Sequence, residues 1–403
     1  MLSLIGNSSA SAAENGSERL VTLGNVVELS PGRMALGSTL EDILSITSRK
    51  TALSGLALIG TSALLLAGCA AAPEAEDDTA AGSDFLPCMV SDSGGFDDKS
   101  FNQLGYEGLT EASDEIGVTP ITVESNAETD FAPNIQSLVD QGCDLIVTVG
   151  FALSAATLEA AEANPEVEFA LIDDAADGDF DGAPDFDNTK PILFDASQAA
   201  FLAGYASADY STTGVVGTYG GMEYPTVTIF MQGFADGVTY YNEQKGTDVQ
   251  TIGLELFTGG FEANETAKTY ATNLIDQNAD VIFPVGGPIY QSAGAAIVDS
   301  GKPVVLLGAD ADVFETDPTY SELYFTSVLK GIKAGVYDVV TAAAGGDFSN
   351  EPYIGTLEND GVGIAPFHEF EDAVSPELQT ELDALTESII SGDVVVESYL
   401  NAG

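Results

Sequence analysis

Basic residues are scarce in this sequence. Its 403 residues include 11 lysines and arginines against 64 aspartates and glutamates, so the formal net charge is −53 at pH 7. Nucleic acids and anionic membrane surfaces repel such a chain, and we expect no nucleic-acid partner. The many carboxylates would also keep the protein hydrated in concentrated salt, and a saline habitat is therefore our hypothesis. A stability that did not change between low and molar salt would contradict it.

The common sequence motifs of enzymatic chemistry are also missing. The single histidine, His368, has no second histidine with which to bind a metal ion. The sequence contains no Gly-x-Ser-x-Gly nucleophile motif and no phosphate-binding loop that ends in Gly-Lys-Ser or Gly-Lys-Thr. We therefore predict that the protein is not an enzyme and needs no cofactor.

Cysteine occurs at three positions, and the first of them ends a processing signal. Arg49 and Lys50 precede an apolar segment over residues 51–67. This segment ends in the motif Leu65-Leu66-Ala67-Gly68-Cys69. This order is typical of a secretory signal, and the ending resembles a bacterial lipobox, in which the cysteine is lipidated. A transmembrane helix is the alternative, but residues 51–67 make a segment shorter than the usual ~20 residues.

The leader divides into three parts. Residues 1–48 precede the basic pair, and we interpret them as carrying no function, with translation starting later, at Met34 or at a non-Met codon. The signal peptide extends to residue 68. Residues 69–84 combine the lipidated Cys69 with a small, polar and acidic tether.

Of the other two cysteines, Cys88 lies on the first predicted strand and Cys143 directly precedes the third, and these strands would be neighbours in a parallel sheet. In an oxidising compartment such a pair can form a disulfide. A disulfide and two buried thiols remain as alternatives at this point.

From residue 85 onward, short β-rich runs alternate with segments of helical spacing. The predicted strands are 85–90, 121–124, 144–149, 168–172 and 192–194 in a first series, and 214–218, 249–254, 281–284 and 304–307 in a second. This alternation predicts right-handed βαβ units and parallel sheets, and two series predict two lobes. We place residues 85–195 and 327–350 in lobe I, and residues 196–326 and 351–403 in lobe II.

The carboxyl-terminal part is predicted to cross back between the lobes. Residues 323–328 read as a crossing strand and residues 330–344 as a helix. Residues 353–357 and 361–364 are predicted to form a hairpin around Asn359-Asp360-Gly361. A last helix should begin at Pro376, with Ser375 as its N-cap.

One loop is unusually rich in groups that can hold a ligand. It extends from Ser91 to Tyr106 between the first strand and the first helix, and such loops lie outside the carboxyl ends of strands, where α/β sheets bind ligands. Asp92 and Asn102 offer hydrogen bonds, and Phe101 offers an aromatic face.

The same loop resembles a known family. The pattern Asp-x-Gly-Gly-x-x-Asp-x-Ser-Phe-Asn at positions 92–102 looks like the signature of the basic membrane protein family of lipoproteins. These are substrate-binding components of ABC importers, several of them for purine nucleosides. The resemblance continues in order through residues 147–151, 169–173, 200–205, 232–234, 279–283, 308–312 and 326–330.

The resemblance implies a fold and a site. The fold would be α/β, the two-lobed type I periplasmic-binding-protein fold, in which each lobe is a parallel sheet flanked by helices and the ligand cleft lies between the lobes. The implied ligand-binding residues are Asp92, Phe101, Asn102, Asp173, Phe261, Asp310 and Lys330. Phe101 and Phe261 would stack on a base, and the polar groups would bind the base and the sugar.

Each of these residues also has a simpler interpretation. Phe101 and Phe261 would otherwise be core residues, and the aspartates would otherwise be solvated loop carboxylates. Lys330 would otherwise form a surface ion pair of little energetic value. We favour the site for all of them, because the aspartates follow predicted strands and lysine is rare in this chain.

A second acidic loop, at Asp177, Asp179 and Asp181, resembles the start of a calcium-binding loop, with Asp185 at its ninth position. Its twelfth position is Asn188 instead of a bidentate glutamate, so we favour a solvated loop and predict no metal site.

These observations predict a monomeric lipoprotein on the extracytoplasmic face of the cell membrane. It would bind adenosine, guanosine or inosine between its lobes and deliver it to an ABC permease. A sugar or a nucleobase-like solute is the alternative ligand, and a sensor that presents its ligand to a receptor is an alternative role. A nucleoside hydrolase is the disfavoured enzymatic alternative.

Overall fold

The computed structural model describes residues 84–179 and 182–401. The predicted signal peptide, Cys69 and all but the last residue of the tether lie outside the described residues. Within the described ranges, no helix has both the length and the apolar character needed to cross a bilayer.

Twelve strands in the described ranges form two sheets of six strands each. They are β1 (Pro87–Val90), β2 (Ile121–Val123), β3 (Leu145–Val149), β4 (Glu168–Ile172), β5 (Thr189–Phe194), β6 (Val215–Gly220), β7 (Gln250–Ile252), β8 (Val281–Val285), β9 (Val305–Asp310), β10 (Tyr324–Lys330), β11 (Tyr353–Gly355) and β12 (Val362–Ile364). The central strands β3 and β8 are buried at every residue, as expected for parallel strands that are covered on both faces.

Helices connect these strands. They are α1 (Phe101–Ile116), α2 (Phe131–Asp140), α3 (Ser154–Ala163), α4 (Ala196–Tyr210), α5 (Pro225–Lys245), α6 (Glu265–Asp276), α7 (Ile289–Ser300), α8 (Val313–Thr316), α9 (Ile332–Ala344) and α10 (Pro376–Ile390). The last helix begins as predicted, because the side chain of Ser375 accepts a hydrogen bond from the backbone N–H of Leu378 and Pro376 occupies the first turn.

The two sheets have the same strand order. The first is β11-β5-β4-β3-β1-β2 and the second is β12-β10-β9-β8-β6-β7. All pairings are parallel except that of β12 with β10, which is antiparallel. The structure therefore confirms the predicted two-lobed α/β fold, and we name the first sheet with its helices lobe I and the second lobe II.

The chain passes between the lobes three times. It leaves lobe I after β5, because α4 packs on α5, β10 and β12. It returns after β10, because α9 packs on α1, β3 and β4. The third passage joins β11, which pairs with β5, to β12, which pairs with β10.

These pairings differ from the predicted lobe boundaries at two strands. Residues 327–330 belong to β10 in lobe II, although we assigned them to lobe I, and β11 belongs to lobe I, although we assigned it to lobe II. The predicted hairpin at residues 353–364 is wrong for the same reason, since its two strands lie in different sheets. An apolar run indicates a buried strand but does not indicate which of two sheets will receive it.

A disulfide bond joins two neighbouring strands of lobe I. Cys88 lies in β1, and Cys143 precedes β3, with their Cα atoms 6.0 Å apart. Both residues are buried among Val90, Ile135 and Phe169. The bond therefore links β1, which leads into the loop that begins at Ser91, to β3 near the centre of the sheet.

Candidate functional site

One cleft lies where the carboxyl ends of strands from both sheets meet. Its empty space, including open solvent at its mouth, is about 600 Å³. All seven predicted ligand-binding residues line it, namely Asp92, Phe101, Asn102, Asp173, Phe261, Asp310 and Lys330. The other lining residues are Gly94, Asp98, Gly150, Phe151, Ala152, Tyr224, Thr226, Val227, Phe230, Val285, Gly286, Gly287 and Pro288.

Asp98 organises the loop that carries Phe101 and Asn102. Its Oδ1 atom accepts hydrogen bonds from the backbone N–H groups of Ser100 and Gln103, each at 3.0 Å. Its Oδ2 atom accepts from the backbone and side-chain nitrogens of Asn102, at 2.9 and 3.0 Å. Because one buried carboxylate accepts from two free backbone N–H groups in the first turn of α1 and from the preceding Ser100, the loop and the helix are held together.

Asp98 was not among the predicted site residues. The signal was present, since Asp98 is the second aspartate of the signature at positions 92–102. The sequence does not indicate that this side chain is buried, whereas the structure leaves it only 4% exposed.

Asp92 lies deep in the cleft wall of lobe I. Its Oδ1 atom accepts hydrogen bonds from the backbone N–H of Gly94 at 2.9 Å and from Nδ2 of Asn102 at 2.8 Å. Burial raises the pKa of the Asp92 carboxyl to about 6, although these two hydrogen bonds favour the ionised form. Asp92 can therefore exchange a proton close to neutral pH.

Two further aspartates occupy corresponding places in the two lobes. Asp173 directly follows β4, and Asp310 ends β9, the strand with the same place in the second sheet. Both have left-handed backbones, with φ of 65° and 68°, a conformation that is uncommon for non-glycine residues. This backbone turns both carboxylates towards the same lysine.

Lys330 stands between these two carboxylates. Its Nζ atom lies 2.6 Å from Oδ2 of Asp173 and 3.6 Å from Oδ1 of Asp310. Burial raises the pKa of Asp310 to about 6 and also raises that of Asp173, while the Lys330 charge opposes both shifts. One ammonium group thus connects lobe I with lobe II at the base of the cleft.

Aromatic rings surround the same ammonium group. Nζ of Lys330 lies 4.9 Å from the ring centroid of Phe230, 5.2 Å from that of Phe101 and 5.8 Å from that of Phe194. These distances suit cation–π attraction, which strengthens when the cation is removed from water. The rings and the carboxylates together fix the position of Lys330.

Phe261 forms the lobe II wall, and two glycines make room for its ring. A Cβ atom on Gly221 would lie 2.3 Å from the Phe261 ring, and one on Gly286 would lie 2.7 Å from it. The ring therefore lies directly on the backbone after β6 and β8. Tyr224 is adjacent, with its ring centroid 6.2 Å from that of Phe261.

The two lobes touch each other at the edge of the cleft. Oγ of Ser100 in lobe I donates a hydrogen bond of 2.8 Å to the carbonyl of Ala309 in lobe II. Oγ1 of Thr316 in lobe II donates one of 2.7 Å to the carbonyl of Lys99. The ring centroids of Phe151 in lobe I and Tyr224 in lobe II lie 5.0 Å apart. These contacts show that the lobes are closed on each other.

The other acidic loop lies away from the cleft lining. Among the residues that the structure describes, Asp177, Asp179 and Asp185 form the one group of three whose carboxylate oxygens lie close enough to share an ion, within 4.8 Å. Asp185 accepts a hydrogen bond from the backbone N–H of Gly178, and Asp177 accepts one from Gly182. Asp181 lies outside the described residues.

His368 is also outside the cleft lining. Its Nε2 atom lies 2.8 Å from Oδ2 of Asp312, and its ring stacks on Phe314 with centroids 4.0 Å apart. Asp312 in turn caps the short helix α8. The contacts of the only histidine are therefore those of a packed structural residue.

Comparison with known proteins gives a consistent result. The model of the Bmp family, described as ABC transporter substrate-binding protein PnrA-like, matches residues 85–399. The chain is 28% identical over 367 residues to the CD4+ T-cell-stimulating antigen of Listeria innocua, covering 86% of this chain and 98% of that protein. It is 26% identical over 367 residues to the ABC transporter nucleoside-binding protein BmpA of Lactococcus lactis, covering 87% and 99%. Basic membrane protein A of Borreliella burgdorferi is 28% identical over 324 residues, covering 79% and 89%.

Solved structures share the fold. A solute-binding protein of an ABC transporter system from Aeropyrum pernix superposes with a TM-score of 0.70 at 24% identity, covering 78% of this chain and 94% of that one. The arabinose-binding protein AraP from Geobacillus stearothermophilus gives a TM-score of 0.54 at 14% identity, covering 72% and 99%. At these identities the likeness establishes the two-lobed architecture alone. The family model spans nearly all of the described residues, and the chain belongs to the family of PnrA-like ABC transporter substrate-binding proteins.

Proposed function

We propose that this protein binds a purine nucleoside in the cleft between its lobes and delivers it to an ABC permease. Membership of the family implies a small-solute ligand, a permease partner and a place of action outside the cytoplasm. The identity of the ligand as a nucleoside goes beyond family membership, and we base it on one observation. Phe101 of lobe I and Phe261 of lobe II line the same cleft as a set of buried hydrogen-bond acceptors.

The aromatic residues suit a flat base. A purine offers two π-faces, and an aromatic ring from each lobe can cover one of them when the lobes close. Stacking of a base on an aromatic side chain contributes about 1–3 kcal/mol per contact. A ligand held in this way would stabilise the closed form, because each lobe supplies one ring.

The polar residues suit a ligand rich in donors. Asp92, Asp98, Asp173 and Asp310 present carboxylate oxygens, which only accept hydrogen bonds when they are ionised. Ribose hydroxyls and base N–H groups donate them. We assign Asp173, Asp310 and Lys330 to the sugar and Asp92 with Asn102 to the base, since Phe101 directly precedes Asn102.

The charge of the cleft favours a nucleoside over a nucleotide. The lining contains four aspartates and one lysine, and Lys330 is already paired with two of the aspartates. A phosphate group would add negative charge to this site without a free cation to receive it.

The interactions available are sufficient for useful affinity. Two stacking contacts give about 2–6 kcal/mol, and each hydrogen bond to a charged group adds about 1.5–3 kcal/mol. A dissociation constant of about 1 μM requires about 8 kcal/mol. The remainder offsets the entropy that the ligand and the moving lobes lose on closure.

A relative supports this assignment. The protein of Lactococcus lactis that is 26% identical over 367 residues is named as a nucleoside-binding protein. We extend that ligand class to this chain because its cleft contains an aromatic residue from each lobe and several carboxylates.

The proposed mechanism is capture by closure. The lobes would hinge about the three passages after β5, β10 and β11, and the permease would recognise the closed form. We propose that a lipid on Cys69 holds the protein at the outer face of the cell membrane, that it acts as a monomer, and that it performs no chemistry on its ligand.

The alternatives make different predictions. A sugar is the second candidate ligand, since the similarly folded AraP is titled as an arabinose-binding protein. A sugar-binding site would bind ribose or arabinose more tightly than any nucleoside. A nucleoside hydrolase would release free base from inosine, and a sensor would bind a receptor in place of a permease.

The test is calorimetric titration of protein that has been unfolded and refolded to remove any bound ligand. We expect adenosine, guanosine or inosine to bind with a 1:1 stoichiometry, and ribose, arabinose and adenosine 5′-monophosphate to bind at least about tenfold more weakly. Tight binding of the monophosphate would contradict the charge argument. Binding of a sugar alone would overturn the proposed function.

A further inference from the structure

The hydrogen bonds around Asp92 leave a pattern of free acceptors at the base-binding wall. Both N–H bonds of the Asn102 amide are used, because Nδ2 lies 2.8 Å from Oδ1 of Asp92 and 3.0 Å from Oδ2 of Asp98. Two carboxylates thus fix the orientation of the amide. Its carbonyl oxygen, Oδ1, is buried and has no hydrogen-bond partner among the described residues.

Asp92 has one committed and one uncommitted oxygen. Oδ1 accepts two hydrogen bonds, from Gly94 and Asn102. Oδ2 has no hydrogen bond to any described residue and lies on the side of Gly150, whose Cα carries no side chain to cover it. Protein atoms surround Asp92 on most sides, but part of its surface remains exposed because the residue lines the cleft.

The proton on Asp92 therefore changes what this wall offers to a base. With Asp92 ionised, Oδ2 of Asp92 and Oδ1 of Asn102 are both acceptors. With Asp92 protonated, the pair becomes one donor and one acceptor. A buried donor or acceptor that finds no partner on the base weakens binding, so each state selects a different base edge.

The two common purine edges match these two states. Guanine presents two adjacent donors, N1–H and the 2-amino group. Adenine presents an acceptor at N1 and a donor in its 6-amino group. We infer that Asp92 and Asn102 read the edge of the base, and that the proton on Asp92 selects between a guanine-type edge when absent and an adenine-type edge when present.

This inference rests on the proposed nucleoside function and adds a specificity determinant to it. Three groups bear on the charge of Asp92: Asp98 at the start of α1, Asp173 after β4 and Tyr224 of lobe II. Gly150 and Phe151, after β3, bring no charge to it. Asp98 and Asp173 both favour the protonated form, and burial has the larger effect in the same direction, so the change falls near pH 6.

The experiment is calorimetric titration of the protein with guanosine and with adenosine at about pH 5 and about pH 8. We expect the ratio of guanosine affinity to adenosine affinity to rise at least about tenfold between these values, since one proton per ligand is linked to the preference. Repeating the titrations in buffers of different ionisation enthalpy measures that proton directly. At about pH 8 adenosine should take up more protons than guanosine by a number that approaches one per ligand.

Two variants make the result specific to Asp92. In Asp92→Asn the amide imitates the protonated acid, so adenosine should be preferred at both pH values. Asp310→Asn removes the other cleft aspartate whose pKa burial raises to about 6, and its ratio should keep the pH dependence of the wild type. If Asp92→Asn does not fold, the pH dependence of the wild-type ratio still decides.

A ratio that is constant with pH, with equal proton uptake for both ligands, would overturn the inference while leaving the nucleoside function intact. A pH-dependent ratio that persists in Asp92→Asn would also overturn it. Absence of binding by any nucleoside would refute the proposed function itself.

Discussion

The two lobes bring the same strand ends to the cleft but place different residues on them. Continued just past the strand ends, the pairing registers place Asp92 beside Gly150 in lobe I and Gly221 beside Gly286 in lobe II. Asp92 of lobe I therefore corresponds to Gly221 of lobe II. Lobe I therefore carries a carboxylate where lobe II carries only backbone, and the Phe261 ring occupies the space that a side chain would fill. One wall is made of acceptors and the other of an aromatic surface.

A second pair of positions shows the same divergence. The registers of β4 with β5 and of β9 with β10 show that Phe194 in lobe I and Lys330 in lobe II occupy corresponding positions. Asp173 and Asp310, by contrast, are alike in the two lobes, and both approach Lys330. A repeated scaffold thus fixes where side chains enter the cleft, whereas the residue at each position decides the chemistry. Such an asymmetric cleft suits an asymmetric ligand, with a flat base and a hydroxyl-rich sugar.

The largest expected effect comes from removing the charge that the lobes share. Lys330→Met leaves Asp173 and Asp310 without their buried partner, which should lower the free energy of unfolding by about 3–5 kcal/mol at about pH 8. The loss should shrink as pH falls, because protonation removes the unpaired charges. Chemical denaturation at both pH values measures it.

Lys333→Met is the matched control for that experiment. Lys333 pairs with Glu111 at 2.9 Å, but both side chains are about half exposed, at 46% and 58%. Its loss should cost less than about 1 kcal/mol at either pH. Equal effects of the two substitutions would contradict the central place that we give to Lys330.

The disulfide distinguishes lobe I from lobe II in stability. Lobe II has Gly217 and Ala279 at the positions that correspond to Cys88 and Cys143. The bond closes a loop of 55 residues, and replacing both cysteines by alanine should cost about 2–5 kcal/mol. Hydrogen exchange should then accelerate in β1 and β3 more than in β6 and β8. Equal acceleration in both sheets would indicate that the bond does not act on lobe I alone.

A methyl group on lobe II should damage its aromatic wall. Gly221→Ala places a Cβ atom 2.3 Å from the Phe261 ring, so the ring must move off the cleft surface. We expect nucleoside affinity to fall about tenfold or more, in line with the loss of one stacking contact. Gly363→Ala in β12 is the control, because its Cβ atom would meet nothing within 4 Å, and its affinity should equal that of the wild type. Equal affinities in all three proteins would contradict the role of Phe261.

The smallest expected effect concerns the aspartates that the lobes have in common. Burial raises the pKa of Asp310 to about 6 from 3.8, so the folded state binds a proton more tightly than the unfolded state. Stability should therefore fall as pH rises from about 4 to about 6, and Asp310→Asn should remove about 1–2 kcal/mol of that fall. Asp140→Asn, at an exposed site at the end of α2, should leave the pH dependence unchanged. The same result for both variants would show that Asp310 is not the group responsible.

Much of this arrangement could be predicted from the sequence, for a physical reason. The family resemblance implied Asp92, Asp173 and Asp310, and their position after apolar runs supported them, because parallel strands place their carboxyl ends at one edge. Phe101 and Asn102 followed from the signature in the same loop. Lys330 attracted attention because lysine is rare here.

Other features depend on tertiary structure. The sequence did not indicate that Asp98 is buried under the first turn of α1. It also did not indicate that Tyr224, directly before α5, and Phe230, on α5, would reach the cleft. It did not place β10 and β11 in their sheets, since a short apolar strand fits either one. The importance of Gly221 and Gly286 appears only once the Phe261 ring lies on them.

The central claim is that the two unlike walls hold the two faces of a purine nucleoside. The most direct measurement is calorimetric titration of wild-type, Phe101→Ala and Phe261→Ala proteins with guanosine and adenosine. We predict 1:1 binding to the wild type and a loss of at least about tenfold in affinity for each variant, since each removes one stacking contact. Nucleoside binding that is unchanged in both variants, or a wild type that binds only sugars, would contradict it.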